Sequence, residues 1–570
     1  MTINLDQTYI DPDLKRDGQK VFGPLLDNLQ CNILKSHGRE WAFHIFLKFT
    51  GDPQAVRAWI RNFSEQYVTS ASTQLQQSRE FKQRQQLVLE NKRRELRLKR
   101  LQEDLNLLEQ QSPDEGAVVR EATLGTLALM ASSDEADVLR RRARLEKELA
   151  KLEDVAATEE ELSEIEDELI GAFFLSSEGY KYLGFDTGDF SGEGKTFQKG
   201  MKNQDNSLLD GFLDMSNKDP KPQTWEEPYR ETIHAMLLLA RDWQGGKVLS
   251  ATLRDDIIPS LAGIADPVAI EEGHVLRNNE AQARGKDESA AEGEGEGSRK
   301  GQPIEHFGYV DGRSQPLFLK SDIDKEEGGM DRWDPSAPLS LVLVPDPLAQ
   351  GEDSYGSYFV FRKLEQDVIA FNEGISALAS ELSVHPELAG ALAVGRFKDG
   401  TPVTLQRMPG LRDPNNFEYE SIDREGNRCP AHAHIRKVNP RGTTPLTQRQ
   451  DERKHRIARR GIPYGAPEDV GTKPVGLLFM CYQSDINKQF EFLQRTWADN
   501  PNFPDFAKPL IAAGTGDDPI IGQDTDDNAG QKWPTEWGRP HEVSFNFGGY
   551  VTLRGGEYFF APSISFLLNI

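Results

Sequence analysis

Three short stretches set titratable side chains beside turn residues. In HFGYVDGRSQP (306–316), Gly308 and Gly312 bracket Asp311, so a carboxylate is presented on a tight loop free of bulky groups. Such a group can move protons, although Asx-turns use the same arrangement. In RCPAHAHIRKVNPRG (428–442), two of the ten histidines, His432 and His434, stand one residue apart. On a strand both imidazoles would share a face and could hold a metal together, whereas on a helix or turn only one reaches a given centre. Cys429, ahead of Pro430, offers either a thiolate ligand or a small buried hydrophobe. In RIARRGIPYG (456–465), Arg459 and Arg460 precede Gly-Ile-Pro-Tyr-Gly, a pair that could stabilise an anion or form a solvated face.

The bulk properties narrow what such groups could act on. The chain has 570 residues, 28% charged and 37% hydrophobic, with a formal net charge of −25. Length suggests two domains with insertions. The acidity argues against nucleic acid and anionic membranes, and leaves small neutral, cationic or peroxide-sized molecules as easier partners. MTINLDQTYIDPDLKRDGQ lacks an apolar signal core, and AMLLLA (235–240) is too short to span a bilayer. Three cysteines without a CxxC pair fit a reducing compartment. These features lead us to expect a soluble, cytoplasmic protein.

The elements that would carry the three stretches alternate between strands and helices. AFHIFLKFT (42–50) predicts a strand, and DPQAVRAWIRNFSEQ (52–66) a helix opened by Asp-Pro. GAFFLSSEGYKYLGF (171–185) returns to strand chemistry. WEEPYRETIHAMLLLARDW (225–243) reads as an amphipathic helix bearing a structural His234. PLSLVLVPD (338–346), SYGSYFVFRKL (354–364) and VGLLFMCYQS (475–484) read as strands. EQDVIAFNEGISALASELS (365–383) and INKQFEFLQRTWADN (486–500) read as helices, and YVTLRGGEYFFAPS (550–563) as a hairpin turning on Gly555-Gly556. No GxGxxG dinucleotide pattern is present.

From about 72 to 168 the composition shifts to Glu, Lys, Arg, Gln and Leu. Leu98, Leu101, Leu105 and Leu108, then Leu145, Leu149 and Leu152, then Leu162, Ile165 and Leu169, follow the spacing of a helical hairpin or short coiled coil. Ser132 and Glu135 form a capping box for its second arm. The insert reads as a solvated helical excursion, with docking or self-association as the alternative. An acidic, Gly-rich loop at about 283–302 reads as disordered.

In this order, GYVDGRSQP, CPAHAHIRKVNPR, RRGIPYG and the terminal GGEYFFAPSIS resemble the motifs of dye-decolourising (DyP-type) haem peroxidases. FRKLEQDV (361–368), GLLFMCYQSDI (476–486) and DPIIGQ (518–523) support the resemblance. It covers roughly residues 20–65 and 171–570, leaves out the helical insert, and looks most like the bacterial, cyanobacteria-like branch of the long class. It implies an α+β fold of two ferredoxin-like domains whose antiparallel sheets sandwich haem b, with the helical hairpin inserted. Residues 1–330 would form the N-terminal domain and 331–570 the haem-binding one.

The resemblance also implies roles. His434, not His432, would be the proximal ligand of the haem iron, with Asp518 (or its neighbour Asp517) on its other nitrogen. Asp311, with Gly312 behind it, would be the distal acid–base group and Arg459 would stabilise charge, Arg460 being the neighbouring alternative. Arg441 would pair with a haem propionate, and Leu477 and Phe479 would roof the pocket. Tyr464 and Trp497 fall where the family places electron-transfer residues, which bulky donors would need, although packing alone also explains buried aromatics. The expected partners are hydrogen peroxide and aromatic reducing substrates. Two rival readings remain: a non-haem metal enzyme using His432 and His434 together, and a haem-carrying assembly protein working through its insert.

Overall fold

The computed structural model describes residues 3–111, 141–149, 169–190, 195–203, 218–242, 245–278, 301–326, 329–351, 353–411, 414–444, 449–504, 515–523 and 530–570. The capping box at Ser132 and Glu135, the seam positions Leu152, Leu162 and Ile165, and nearly all of the acidic loop lie outside them. Packing divides the chain into two compact units, Met1–Gln74 with Leu169–Ile570, and Leu75–Glu168.

The larger unit is built on one antiparallel sheet. Its strands are β1 (Trp41–Phe49), β2 (Ile170–Leu175), β3 (Ala235–Arg241), β4 (Ala265–His274), β5 (Val344–Pro345), β6 (Tyr355–Gln366), β7 (Ala458–Arg459), β8 (Ile462–Tyr464), β9 (Gly476–Gln483) and β10 (Val551–Ala561). The order across the sheet is β7-β9-β6-β10-β2-β3-β1-β4, with β8 also on β9 and β5 on β6.

Two ferredoxin-like halves are legible in that order. In the first, β1, helix α1 (Pro53–Tyr67), β2, β3, helix α3 (Gly245–Thr252) and β4 give strands ordered β4-β1-β3-β2. The long helix α2 (Ala71–Gln111) leaves between α1 and β2. In the second half, β6 leads into α4 (Val368–Leu382) and α5 (Pro386–Val394), then β7 and β8, β9 and β10. The halves join where Phe560 of β10 pairs with Leu175 of β2.

Local chemistry explains the helix starts. Asp52 accepts from the N–H groups of Gln54 and Ala55 ahead of Pro53, and Asp367 accepts from Ala370, so each caps orphan donors. One face of each half-sheet turns inward on a shared aromatic core. Phe46 meets Phe361 at 4.6 Å between ring centroids, Phe174 meets Phe359 at 4.5 Å, and Phe359 meets Tyr482 at 4.8 Å. At the open edges β4 touches β8, where a Cβ on Gly273 would sit 2.5 Å from Ile462. Continuous apolar runs such as Phe43–Leu47 are therefore buried on both faces.

Three sequence expectations give way here. The segment 225–243 is not one helix but a turn, Glu227–Arg230, followed by β3 with His234 just ahead of it. Its apolar run is needed between β1 and β2, and tertiary pairing overrides the helical period. Residues 338–346 hold a 3₁₀ turn at Leu339–Leu341, with only Val344–Pro345 extended. Gly555 and Gly556 do not turn a hairpin, because β10 runs straight through them with a bulge against Lys363 and Leu364. Glycine is required by close approach: a Cβ on Gly555 would lie 2.1 Å from the Tyr229 ring, and one on Gly556 2.5 Å from the Phe361 carbonyl oxygen.

In the smaller unit, the described residues are the remainder of α2 and helical residues 141–149. Leu101 is buried, Leu98, Leu105, Leu145 and Leu149 are half-buried, and Arg97 pairs with Glu148. No described helix is long and apolar enough to cross a membrane.

Candidate active site

The outward face of the second half-sheet carries the candidate chemistry. Paired residues of an antiparallel sheet project to the same side. Arg459 pairs with Cys481, Cys481 with Val360, and Val360 with Tyr558, forming one row across β7, β9, β6 and β10. Beside it Phe479 pairs with Arg362, and Leu477 with Leu364. Leu477 and Phe479 are only half-buried although their neighbours Leu478 and Met480 are buried, so this face lines open space.

Asp311 meets this face from the loop 306–312. Both bracketing glycines adopt positive φ, 91° at Gly308 and 79° at Gly312, a conformation that costs other residues energy. Arg459 Nη1 donates to Asp311 Oδ1 at 3.0 Å, and its Nη2 donates to the Arg313 carbonyl at 3.0 Å. Gly312 N–H donates to the same Oδ1. The second oxygen, Oδ2, keeps no protein partner among the described residues. Arg460 turns the other way and donates to the carbonyls of Asn32 and Ile33, so Arg459 is the arginine that reaches Asp311.

Glu305, which the sequence reading did not single out, fastens this loop. Its carboxylate accepts from the N–H groups of Phe307 and Tyr309 and from Gln366, while burial pushes its pKa up to about 7. No pattern in the sequence announces a carboxylate that bonds backbone two and four residues ahead of itself.

His434 opens the short helix α6 (His434–Val438). Arg436, fully buried, holds the preceding turn through Asp423 and the carbonyls of Cys429 and Arg424. Lys437 donates to the carbonyls of Trp497 and Asn500, and burial pulls its ammonium below the usual range. Thus anchored, His434 places Nδ1 2.8 Å from Asp518 Oδ2. A carboxylate only accepts, so Nδ1 carries the hydrogen. Asp518 is itself fixed, its Oδ1 accepting from Ile520 and Ile521 N–H at 2.8 and 3.0 Å. The neighbouring Asp517 instead pairs with Lys218. The Nε2 of His434 has no protein partner among the described residues, and its side chain is 21% exposed.

His432 does not join it. It lies in the turn before α6, buried, with its ring edge-on to Trp533 at 4.3 Å, and burial pushes its pKa down to about 3. Among the described residues no group of three or more His, Cys, Asp or Glu side chains is arranged to hold a metal ion. Cys429 is a buried thiol pushed up to about 12 by burial.

Arg441 ties the two sides of the site together. It is buried and donates to the Asn415 and Phe417 carbonyls, to Asn415 Oδ1 at 2.6 Å, and to Ser314 Oγ, three residues after Asp311, at 2.8 Å. All of these acceptors are neutral, and a buried guanidinium with no carboxylate partner among the described residues suits an anionic ligand group. The free Nε2 of His434, the uncompensated Arg441 and the half-open Leu477 and Phe479 together fit an iron porphyrin with acidic side chains. Tyr464 and Trp497 are 6% and 4% exposed, the first beneath Lys363 and the second stacked on Phe503, so neither presents a face to bulky donors.

Known proteins share this fold. A sequence description of "Dyp-type peroxidase, C-terminal" matches residues 336–516. The multifunctional dye peroxidase DyP2 of Amycolatopsis sp. is 45% identical over 373 residues, covering 62% of this chain and 74% of that protein. Its solved structure superposes with a TM-score of 0.68 over the full length of both chains at 33% identity. The Anabaena sp. DyP-type peroxidase AnaPX gives 0.71, at 36% identity over 99% of this chain and 98% of that one. The chain belongs to the dye-decolourising (DyP-type) peroxidase family and is a peroxidase of that type.

Proposed function

We propose that this peroxidase holds haem b through His434 and uses hydrogen peroxide to oxidise bulky aromatic donors, dyes and phenols, in one-electron steps. The observation that carries the reading is the His434–Asp518 pair, which fixes hydrogen on Nδ1 and leaves Nε2 free as a basic ligand. Arg441 would take a propionate, and Leu477 and Phe479 would cover the ring face.

Bound haem would supply the redox centre that accepts electrons from donors and delivers them to peroxide. The chain's own residues would manage protons and charge. Asp311 Oδ2 takes a proton from the near oxygen of peroxide and returns it to the departing oxygen, directly or through one water. Arg459, already bonded to Oδ1, orients Asp311 and stabilises the negative charge that develops as the O–O bond lengthens. Leu477 and Phe479 restrict entry to small oxidants, so bulky donors must pass electrons through the protein.

Titration with hemin tests the reading. The wild-type chain should give a Soret band that shifts within seconds of peroxide addition. His434→Ala should lose the band and His432→Ala should keep it. A chain that stays colourless, or loses haem with His432 rather than His434, would refute the assignment.

A further inference from the structure

Oxidising a phenol at neutral pH requires its proton to leave as its electron does, so a redox-active buried tyrosine needs a base on its hydroxyl. Tyr464, the tyrosine singled out by sequence, has a buried hydroxyl with no hydrogen-bond partner among the described residues, as does Tyr180. Tyr558 differs. Its hydroxyl donates to Glu491 Oε1, and Glu491 is held by Arg495 at 2.6 Å. Tyr558 is 2% exposed and Glu491 4%.

Its place in the sheet adds a second argument. Tyr558 stands in the same row as Arg459, on the same face, three strand spacings or about 14 Å away. A chain of rings leads to it from the pocket cover. Phe479 lies 6.1 Å from Phe490, and Phe490 lies 6.3 Å from Tyr558 between centroids, both within the range of aromatic contact. Arg362 sits over Phe490 at 5.4 Å. The sheet thus presents a phenol with its own proton acceptor to the face where peroxide is reduced.

We propose that Tyr558, with Glu491 as its base, is an internal one-electron donor of this peroxidase, an inference that rests on the haem reading above. Reduction of H2O2 to two waters takes two electrons. One of these is drawn from the Tyr558 ring by way of Phe490 and Phe479; the other would come from the bound haem, to be restored by a second donor molecule, and the two protons from solvent. The phenolic O–H bond breaks and its proton passes to Glu491 Oε1, leaving a neutral phenoxyl and a neutral carboxyl. An aromatic donor returns one electron, and the proton moves back. Since Tyr558 is buried, it stores the oxidising equivalent when no donor is at hand.

The test uses the haem-loaded full chain carrying ring-deuterated tyrosine, mixed with peroxide without dye and freeze-quenched for electron paramagnetic resonance. We expect an organic radical whose hyperfine width narrows on deuteration. It should vanish in Tyr558→Phe and persist in Tyr180→Phe. Glu491→Gln keeps an acceptor oxygen but removes the base, and should cut the radical yield at least tenfold, a floor below the about 10²–10⁴-fold that a positioned base contributes to rate. The Glu491→Gln arm decides the matter should Tyr558→Phe fail to take up haem. An unchanged signal in Tyr558→Phe, or no tyrosyl signal while peroxide is consumed, overturns the proposal and leaves the peroxidase reading intact. A wild-type chain that binds no haem overturns both.

Discussion

Replacing Asp518 by Asn tests the site most sharply, because the structure fixes what each oxygen must do. Oδ1 accepts two backbone N–H bonds from Ile520 and Ile521, and Oδ2 accepts from His434 Nδ1. An amide has one acceptor oxygen. If that oxygen keeps the backbone bonds, the NH₂ faces Nδ1 and drives the imidazole hydrogen onto Nε2, the atom assigned to iron. If the amide flips to serve His434, its NH₂ confronts two backbone donors. The first arrangement costs fewer bonds and is the one expected. Exchanging a charge-assisted hydrogen bond for a neutral one should lower stability by about 1–1.5 kcal/mol. Loss of the supporting carboxylate should weaken haem affinity by about 10–100-fold. Hemin titration followed at the Soret band measures the second, and nitrogen NMR of labelled histidine in the haem-free chain reports the tautomer. Haem affinity within threefold of wild type, with hydrogen still on Nδ1, would refute the reasoning.

Four further outcomes are expected. Asp311→Asn, assayed by stopped-flow peroxide consumption, should lose about 10²–10⁴-fold in rate with haem content unchanged, and a rate near wild type would remove Asp311 from its role. Burial pushes His44 and His432 down to about 4 and 3. Unfolded histidines therefore bind protons first, and stability present above about pH 6.5 should be lost as pH falls below it, read as a falling melting temperature. Glu305 behaves oppositely, since its raised folded value means that stability declines as pH rises from the ordinary carboxylate range through about 7, and Glu305→Gln should flatten that decline in a pH series of denaturant midpoints. Gly555→Ala should cost about 1–3 kcal/mol by overpacking against Tyr229, and an unchanged denaturant midpoint would show that the strand can yield there.

The short-range chemistry was readable from residue order. Asp52-Pro53 and Asp367 mark helix starts because a cap needs only the next three residues. Gly308 and Gly312 mark the Asp311 loop because positive φ is a local demand. The motif order singled out Asp311, His434, Arg459 and Asp518, and the fold sets them in the two pairs Asp311–Arg459 and His434–Asp518. What residue order could not reveal depends on neighbours distant in the chain. The run at 235–241 has no period that distinguishes a helix from a central strand, and pairing on both sides decided it. Gly555-Gly556 looks like a turn until Tyr229 is found against it. Whether Arg459 or Arg460 faces Asp311 follows from the pairing of Arg459 with Cys481, since a one-residue slip would exchange them. The exposure of Tyr464 and the base on Tyr558 are likewise set by packing. Sequence alone determined which groups could do chemistry and that strands and helices would carry them. The tertiary structure alone decided which groups share a face, because sheet register and burial are properties of contacts between segments.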